Sequence, residues 1–167
     1  MTTIDWTAAL APFAPPAIVL SATPEAAIAA SEELAAARPN TIVRTVDAAE
    51  CTTTPELLRA LGAALDFPDG PVNWNVVDER LHDLTWYPDA DAYVVILLNC
   101  ERFAIANSAA DLPILDRILS GLVDEYRADG RDLDPRLLVC QSAPPHLDEF
   151  VAALERFDLD WPPAPTN

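Results

Sequence analysis

"NWNVVDERLHDLTW", Asn73 to Trp86, decides how the rest of the chain is read. On a helical wheel Trp74, Val77, Leu81 and Leu84 recur at spacings of 3, 4 and 3 and form one apolar stripe. Asn75, Asp78, Glu79 and His82, spaced 3, 1 and 3, form a second stripe that is polar. Asn73 follows a loop that holds Pro68, Asp69, Gly70 and Pro71. It suits an N-cap, because its side-chain oxygen can accept from a backbone N–H that the first turn leaves unpaired. Downstream, "YVVILL" (Tyr93 to Leu98) is apolar without interruption, as a central parallel strand covered on both faces must be. A merely solvated helix face and a binding face look alike at this level.

Working outward, Ala17 to Ser21 is a short β-prone run. Thr23, Pro24 and Glu25 read as an N-cap and first turn, predicting a helix over Pro24 to Ala37 that Arg38-Pro39 ends. "TIVRTV" (Thr41 to Val46) is β-branched and alternating, hence a strand. Thr54-Pro55-Glu56 repeats the cap pattern with Thr54 in the cap position, and the helix that follows puts Leu57, Leu58, Leu61 and Leu65 on one side. In "LPILDRILSGLVDEYRA", Ile114, Leu115, Ile118, Leu119, Leu122 and Val123 recur at helical spacing. Arg136 to Gln141 reads as a strand and "PHLDEFVAALERF" as a last helix, while Glu101 to Leu112 carries no clear pattern. Strands separated by helices predict an α/β class with a small, mainly parallel sheet flanked by helices.

The chain has 167 residues, enough for one domain with a real core. Ten basic residues, all Arg, face 27 acidic ones, for a formal charge of −17. That balance argues against nucleic acid and anionic membrane surfaces, which repel it, and favours a cationic partner. The longest apolar run is too short to span a bilayer, and "MTTIDWTAAL" has no basic segment ahead of an apolar one, so a cytoplasmic protein without a signal peptide is expected. Cys51, Cys100 and Cys140 are odd in number and form no CxxC, which fits reduced packing thiols.

"LDFPDGPVNWNVVDERLHDLTW" followed by "YVVILLN" resembles the core signature of the barstar family, inhibitors of barnase-type ribonucleases. The positions that carry the resemblance are Phe67-Pro68, Asn73, Trp74, Val77, Glu79, Leu81, Asp83-Leu84 and Trp86, without gaps from Asn73 onward. The resemblance implies a barstar-like core over about 41–141 of a single domain spanning 1–167. An added strand–helix unit would precede it (1–40) and a C-terminal helix and tail follow it (142–167). It also implies that this helix and its preceding loop enter a ribonuclease active-site cleft, with Glu79 where an RNA phosphate would sit. A carboxylate on a rigid helix can imitate a phosphate through charge-assisted, bidentate bonds to Arg. Three departures stand out. Asp69-Gly70-Pro71-Val72 replaces a loop that in the family usually has two aromatics and a Gly and is one residue longer. Asn75 stands where the family usually has Asp. Val76-Val77 replaces Ala-Leu.

Other chemistries have weaker support. Glu79 and His82 match Glu-x-x-His, but the other histidine, His146, has Ala143 three residues before it, so no metal is expected. The acidic run from Asp129 to Asp134 lacks EF-hand spacing. No phosphate loop, dinucleotide fingerprint or nucleophile elbow is present, and no cofactor or catalytic residue is expected. The expectation is therefore an inhibitor of a basic cognate ribonuclease, an immunity or antitoxin-type protein that is monomeric when free. Its partner-binding surface would be Asp69, Gly70, Asn75, Val76, Asp78, Glu79, His82 and Asp83. The alternatives are a non-inhibitory barstar-like module that binds another basic protein, and an enzyme of unknown chemistry.

Overall fold

Every residue of Ala92–Leu98 is buried, which puts this strand inside the sheet as its sequence requires. The computed structural model describes residues 17–21, 23–71, 73–99, 111–130 and 134–141. They form β1 (Ala17–Ser21), α1 (Pro24–Ala37), β2 (Thr41–Asp47), a 3-10 turn (Ala48–Glu50), α2 (Thr54–Ala64), α3 (Trp74–Asp83), β3 (Ala92–Leu98), α4 (Asp111–Ala128) and β4 (Asp134–Gln141). The strand order is β1-β4-β3-β2, and every adjacent pair is parallel. The α/β class with a small parallel sheet is as expected. The N-terminal strand joins that same sheet, with Ala17 opposite Leu137 and Ser21 opposite Gln141. The expected C-terminal helix and tail lie outside the described residues, as do residues 100–110.

Successive side chains of a strand point to opposite faces, so β3 serves two layers. Tyr93, Val95 and Leu97 share the main core with Leu57, Leu58, Leu61 and Leu65 from α2 and its end, Val77 and Leu81 from α3, and Leu115, Leu119, Leu122 and Tyr126 from α4. Val94 and Ile96, fully buried, point the other way. There α1 packs on β2 and β3 and buries Ala27, Ser31 and Leu34.

The ends of the elements follow local chemistry. Thr23 caps α1 by accepting from Ala26 N at 3.3 Å, and Asn73 caps α3 by accepting from Val76 N at 3.0 Å. At α2 the expectation needs correcting. Thr53, not Thr54, occupies the N-cap and makes no side-chain cap bond. The Thr54 hydroxyl is drawn instead to the buried carboxylate of Asp111. Helix α3 also stops earlier than the wheel over Asn73–Trp86 implies. It ends at Asp83, and Leu84 turns left-handed at φ 39°. For a non-glycine residue that conformation costs about 1–2 kcal/mol. Burying the Leu84 side chain, which is 3% exposed, offsets this with about 1.5–3 kcal/mol.

Candidate functional site: the exposed face of α3

Val77 and Leu81 hold α3 on the core, each 1% exposed. Glu79 is two residues from both, about 200° round the axis from either at 3.6 residues per turn, and so forms the crest of the helix away from the core. The other expected site residues fall on its flanks. Asn75, Asp78, Asp69 and Gly70 are exposed with Glu79, whereas Val76, His82 and Asp83 are half-buried.

One flank faces the preceding loop. Arg80 Nη2 donates to Asp69 Oδ2 at 3.0 Å, tying loop to helix. The loop is anchored from beneath as well. Pro71 lies so close to α2 that a Cβ on Gly62 would come within 2.5 Å of its Cδ, so glycine is required there. The Phe67 N–H donates to Gly62 O at 2.9 Å, and the Phe67 ring meets Trp86 edge to face at 6.0 Å. Trp86 Nε1 in turn donates to Leu65 O. Asp66, left-handed at φ 54°, accepts from the Tyr87 hydroxyl and faces Arg44 at 3.5 Å. Those two donors, Tyr87 first, hold the Asp66 carboxyl below its ordinary range.

The other flank faces α4. His82 Nδ1 is 2.9 Å from Glu125 Oε2, and Nε2 is 3.7 Å from Asp129 Oδ2. The Tyr126 hydroxyl donates to the Leu81 carbonyl. Desolvation, and then the charge of Glu125, raise the Asp78 carboxyl above its ordinary value, while His82 opposes them. Asp78 therefore carries its negative charge at some expense to the free protein, in a position that a cation would relieve.

Sequence reasoning missed Arg80, Glu125, Asp129 and Asp111. Wheel periodicity orders residues within one helix and is silent on which neighbour approaches it. The exposed acidic positions at the end of α4 and just beyond it were the only available signal for Glu125 and Asp129. No group of three His, Cys, Asp or Glu side chains able to hold a metal occurs among the described residues. Cys51 is buried and free, and burial raises its thiol pKa, which suits packing rather than nucleophilic chemistry. No helix among the described residues is long and apolar enough to cross a membrane.

A family model described as "Barstar (barnase inhibitor)" matches residues 41–137, from the start of β2 into β4. No curated protein matches the chain.

Proposed function

This chain belongs to the barstar family, and from that premise we propose that it inhibits a basic cognate ribonuclease by seating the exposed face of α3 in the enzyme's cleft. At the level of the family the function is barnase inhibition, and the family's members are inhibitors rather than enzymes. The finer reading rests above all on Glu79, an exposed carboxylate at the crest of a helix fixed on both flanks. A nuclease cleft presents Arg, Lys and His to hold phosphates, and a projecting carboxylate can take the place of one phosphate group. Asp78 supports the same reading, since its charge is disfavoured in the free chain and would be compensated by a cation. The contacts of Asp69 with Arg80 and of Pro71 with α2 would hold part of the loop in place ahead of binding, which reduces the entropy lost there. Expression in the cytoplasm and a monomeric free state are part of the proposal.

The test has two stages. The tagged chain is used to capture partners from its native cell, and a captured ribonuclease is then titrated with it against an RNA substrate. Loss of cleavage at equimolar inhibitor supports the proposal. A captured nuclease that cleaves at full rate when saturated excludes cleft blocking. A cationic partner with no nuclease activity would favour the non-inhibitory module instead. Association should also slow steeply with salt, because attraction between the −17 chain and a basic enzyme is screened over about 10 Å at 0.1 M.

A further inference from the structure

Three helix starts converge on one buried carboxylate. Asp111, the first residue of α4, is 4% exposed. Its Oδ2 accepts from the hydroxyl of Thr54, the first residue of α2, at 2.6 Å. Its Oδ1 accepts from the indole Nε1 of Trp74, the first residue of α3, at 2.9 Å. None of these residues lies on the surface assigned to the partner. At the other end of α3, the Tyr126 hydroxyl donates to the Leu81 carbonyl and His82 faces Glu125. Helix α3 is thus fastened to α4 at both ends, and to α2 through the shared carboxylate.

A carboxylate shielded from water must have its charge compensated. Here two side-chain donors and the positive end of the α4 dipole provide this. An apolar residue could fill the same space without any desolvation penalty. What the carboxylate adds is direction: its two oxygens accept along defined lines, and one of those lines fixes the plane and depth of the Trp74 ring. Trp74 begins α3, so its ring fixes how the helix is rotated about its own axis. That rotation matters at the crest. Turning α3 by one residue, about 100°, would replace Glu79 there with Asp78 or Arg80. Burial of Val77 and Leu81 excludes a turn of that full size, but apolar contacts are non-directional and resist smaller rotations less sharply, and a smaller rotation already swings Glu79 off the crest.

We propose that Asp111 is the positioning residue of the docking helix: through the Trp74 indole it sets the rotation of α3 and hence the aim of Glu79. The link to Glu79 rests on the ribonuclease reading; the effect on α3 does not.

Hydrogen exchange in the free, full-length chain tests the effect on α3 without any partner. In Asp111→Asn, the Trp74 indole N–H and the amides of residues 77–83 should exchange about tenfold faster or more, with residues 94–97 of β3 changing much less. Trp74→Phe keeps an aromatic ring but has no N–H, and should give the same acceleration in residues 77–83. The double variant should go no further than either single one. If Asp111→Asn fails to fold, Trp74→Phe alone decides. Equal acceleration in α3 and β3 would reveal only a global loss of stability and would overturn the proposal, as would an unchanged α3. Glu79→Ala provides the separation from function. It should leave exchange untouched while weakening ribonuclease binding, whereas Asp111→Asn should change both. Altered exchange with no ribonuclease bound would sink the functional reading and leave the positioning role standing.

Discussion

Asp69 in the loop before α3 is joined to Arg80 within α3 by a 3.0 Å ion pair. The loop acid is therefore already engaged by the protein's own cation. Only one guanidinium nitrogen takes part, Arg80 Nε being buried without a partner among the described residues, so the pair lacks the bidentate geometry of strong Arg–carboxylate contacts. Asp69 is mostly exposed, and an exposed pair of this kind contributes about 0–1 kcal/mol. Asp69→Ala should accordingly shift the urea midpoint only slightly. Its effect on partner binding should be smaller than that of Glu79→Ala, because Arg80 already offsets part of its charge. A larger loss for Asp69→Ala in the same binding assay would make the loop the main determinant.

Gly62→Ala sets two effects against each other. Within a helix, Ala is favoured over Gly by about 0.8–1 kcal/mol. At this position the new Cβ would sit 2.5 Å from Pro71 Cδ and 3.0 Å from Pro71 Cγ. A proline ring cannot rotate out of the way, so the loop must shift, and overpacking of this kind costs about 1–3 kcal/mol. The clash should win. A lower melting temperature and changed Asp69 and Gly70 amide shifts are expected; a stabilised variant would mean that the loop yields easily.

Much of the fold was legible because its elements are patterned within themselves. The 3-4-3 stripe of α3 and the unbroken apolar run of β3 each have a single comfortable solution. What was not legible is held between elements. The Thr54 hydroxyl reads as a cap from its neighbours Pro55 and Glu56, but Asp111, 57 positions away, captures it. The end of α3 was misjudged because Leu84 fits the stripe by period, yet it reaches the core from a left-handed turn. Asn75, Asp78 and Glu79 could be named as exposed from the wheel alone. The Arg80–Asp69 and His82–Glu125 contacts depend on which loop and helix come alongside.

Leu81→Ala tests the phasing of α3 directly. The side chain is 1% exposed among Leu61, Leu65, Val77, Val95, Leu115 and Leu119. Truncation should cost about 2–5 kcal/mol, depending on how far those neighbours close the cavity. Denaturant unfolding should show a lower midpoint at an unchanged slope. A loss under about 1 kcal/mol would contradict full burial.

Asp78 and Asp66 should make opposite contributions to the pH dependence of stability. The folded-state pKa of Asp78 is raised, by desolvation and then by Glu125. Its ionisation therefore penalises the fold above that pKa, and the penalty fades as pH falls through it toward the unfolded value of about 3.9. The pKa of Asp66 is lowered, by Tyr87 and then Arg44. Its contribution is present above the unfolded value and is lost as pH falls through the folded one. Asp78→Asn should thus raise the melting temperature at pH 7, with the difference shrinking as the wild-type carboxyl is protonated. The same substitution should weaken the ribonuclease complex. Thermal scans at pH 7 and pH 4 check the first point, and a destabilised Asp78→Asn at pH 7 would mean that the carboxylate is favourably placed after all.

Glu79 should matter most to binding and least to folding. It is exposed at the crest of α3, where Ala is at least as good a helix former as Glu, so Glu79→Ala should leave the melting temperature nearly unchanged. In a complex the same carboxylate would meet Arg or Lys inside a cleft that excludes water. Removing one partner of a fully buried ion pair typically costs about 3–5 kcal/mol, because the other charge is left uncompensated. Glu is one methylene longer than Asp, so α3 would dock slightly farther from the cleft floor, and a loop without protruding aromatics leaves room for that. A partly hydrated contact of this length would fall short of the full value. A loss of at least tenfold in affinity, about 1.4 kcal/mol, is the expected minimum, and it should appear chiefly in the dissociation rate. Asp78→Ala should do less and Asp83→Ala, half-buried at the end of the helix, less again. Surface plasmon resonance of the three variants against the captured ribonuclease gives the ranking. Three small and equal losses would mean that the face supplies only diffuse charge, and the phosphate-mimic role of Glu79 would fall even with cleavage still inhibited.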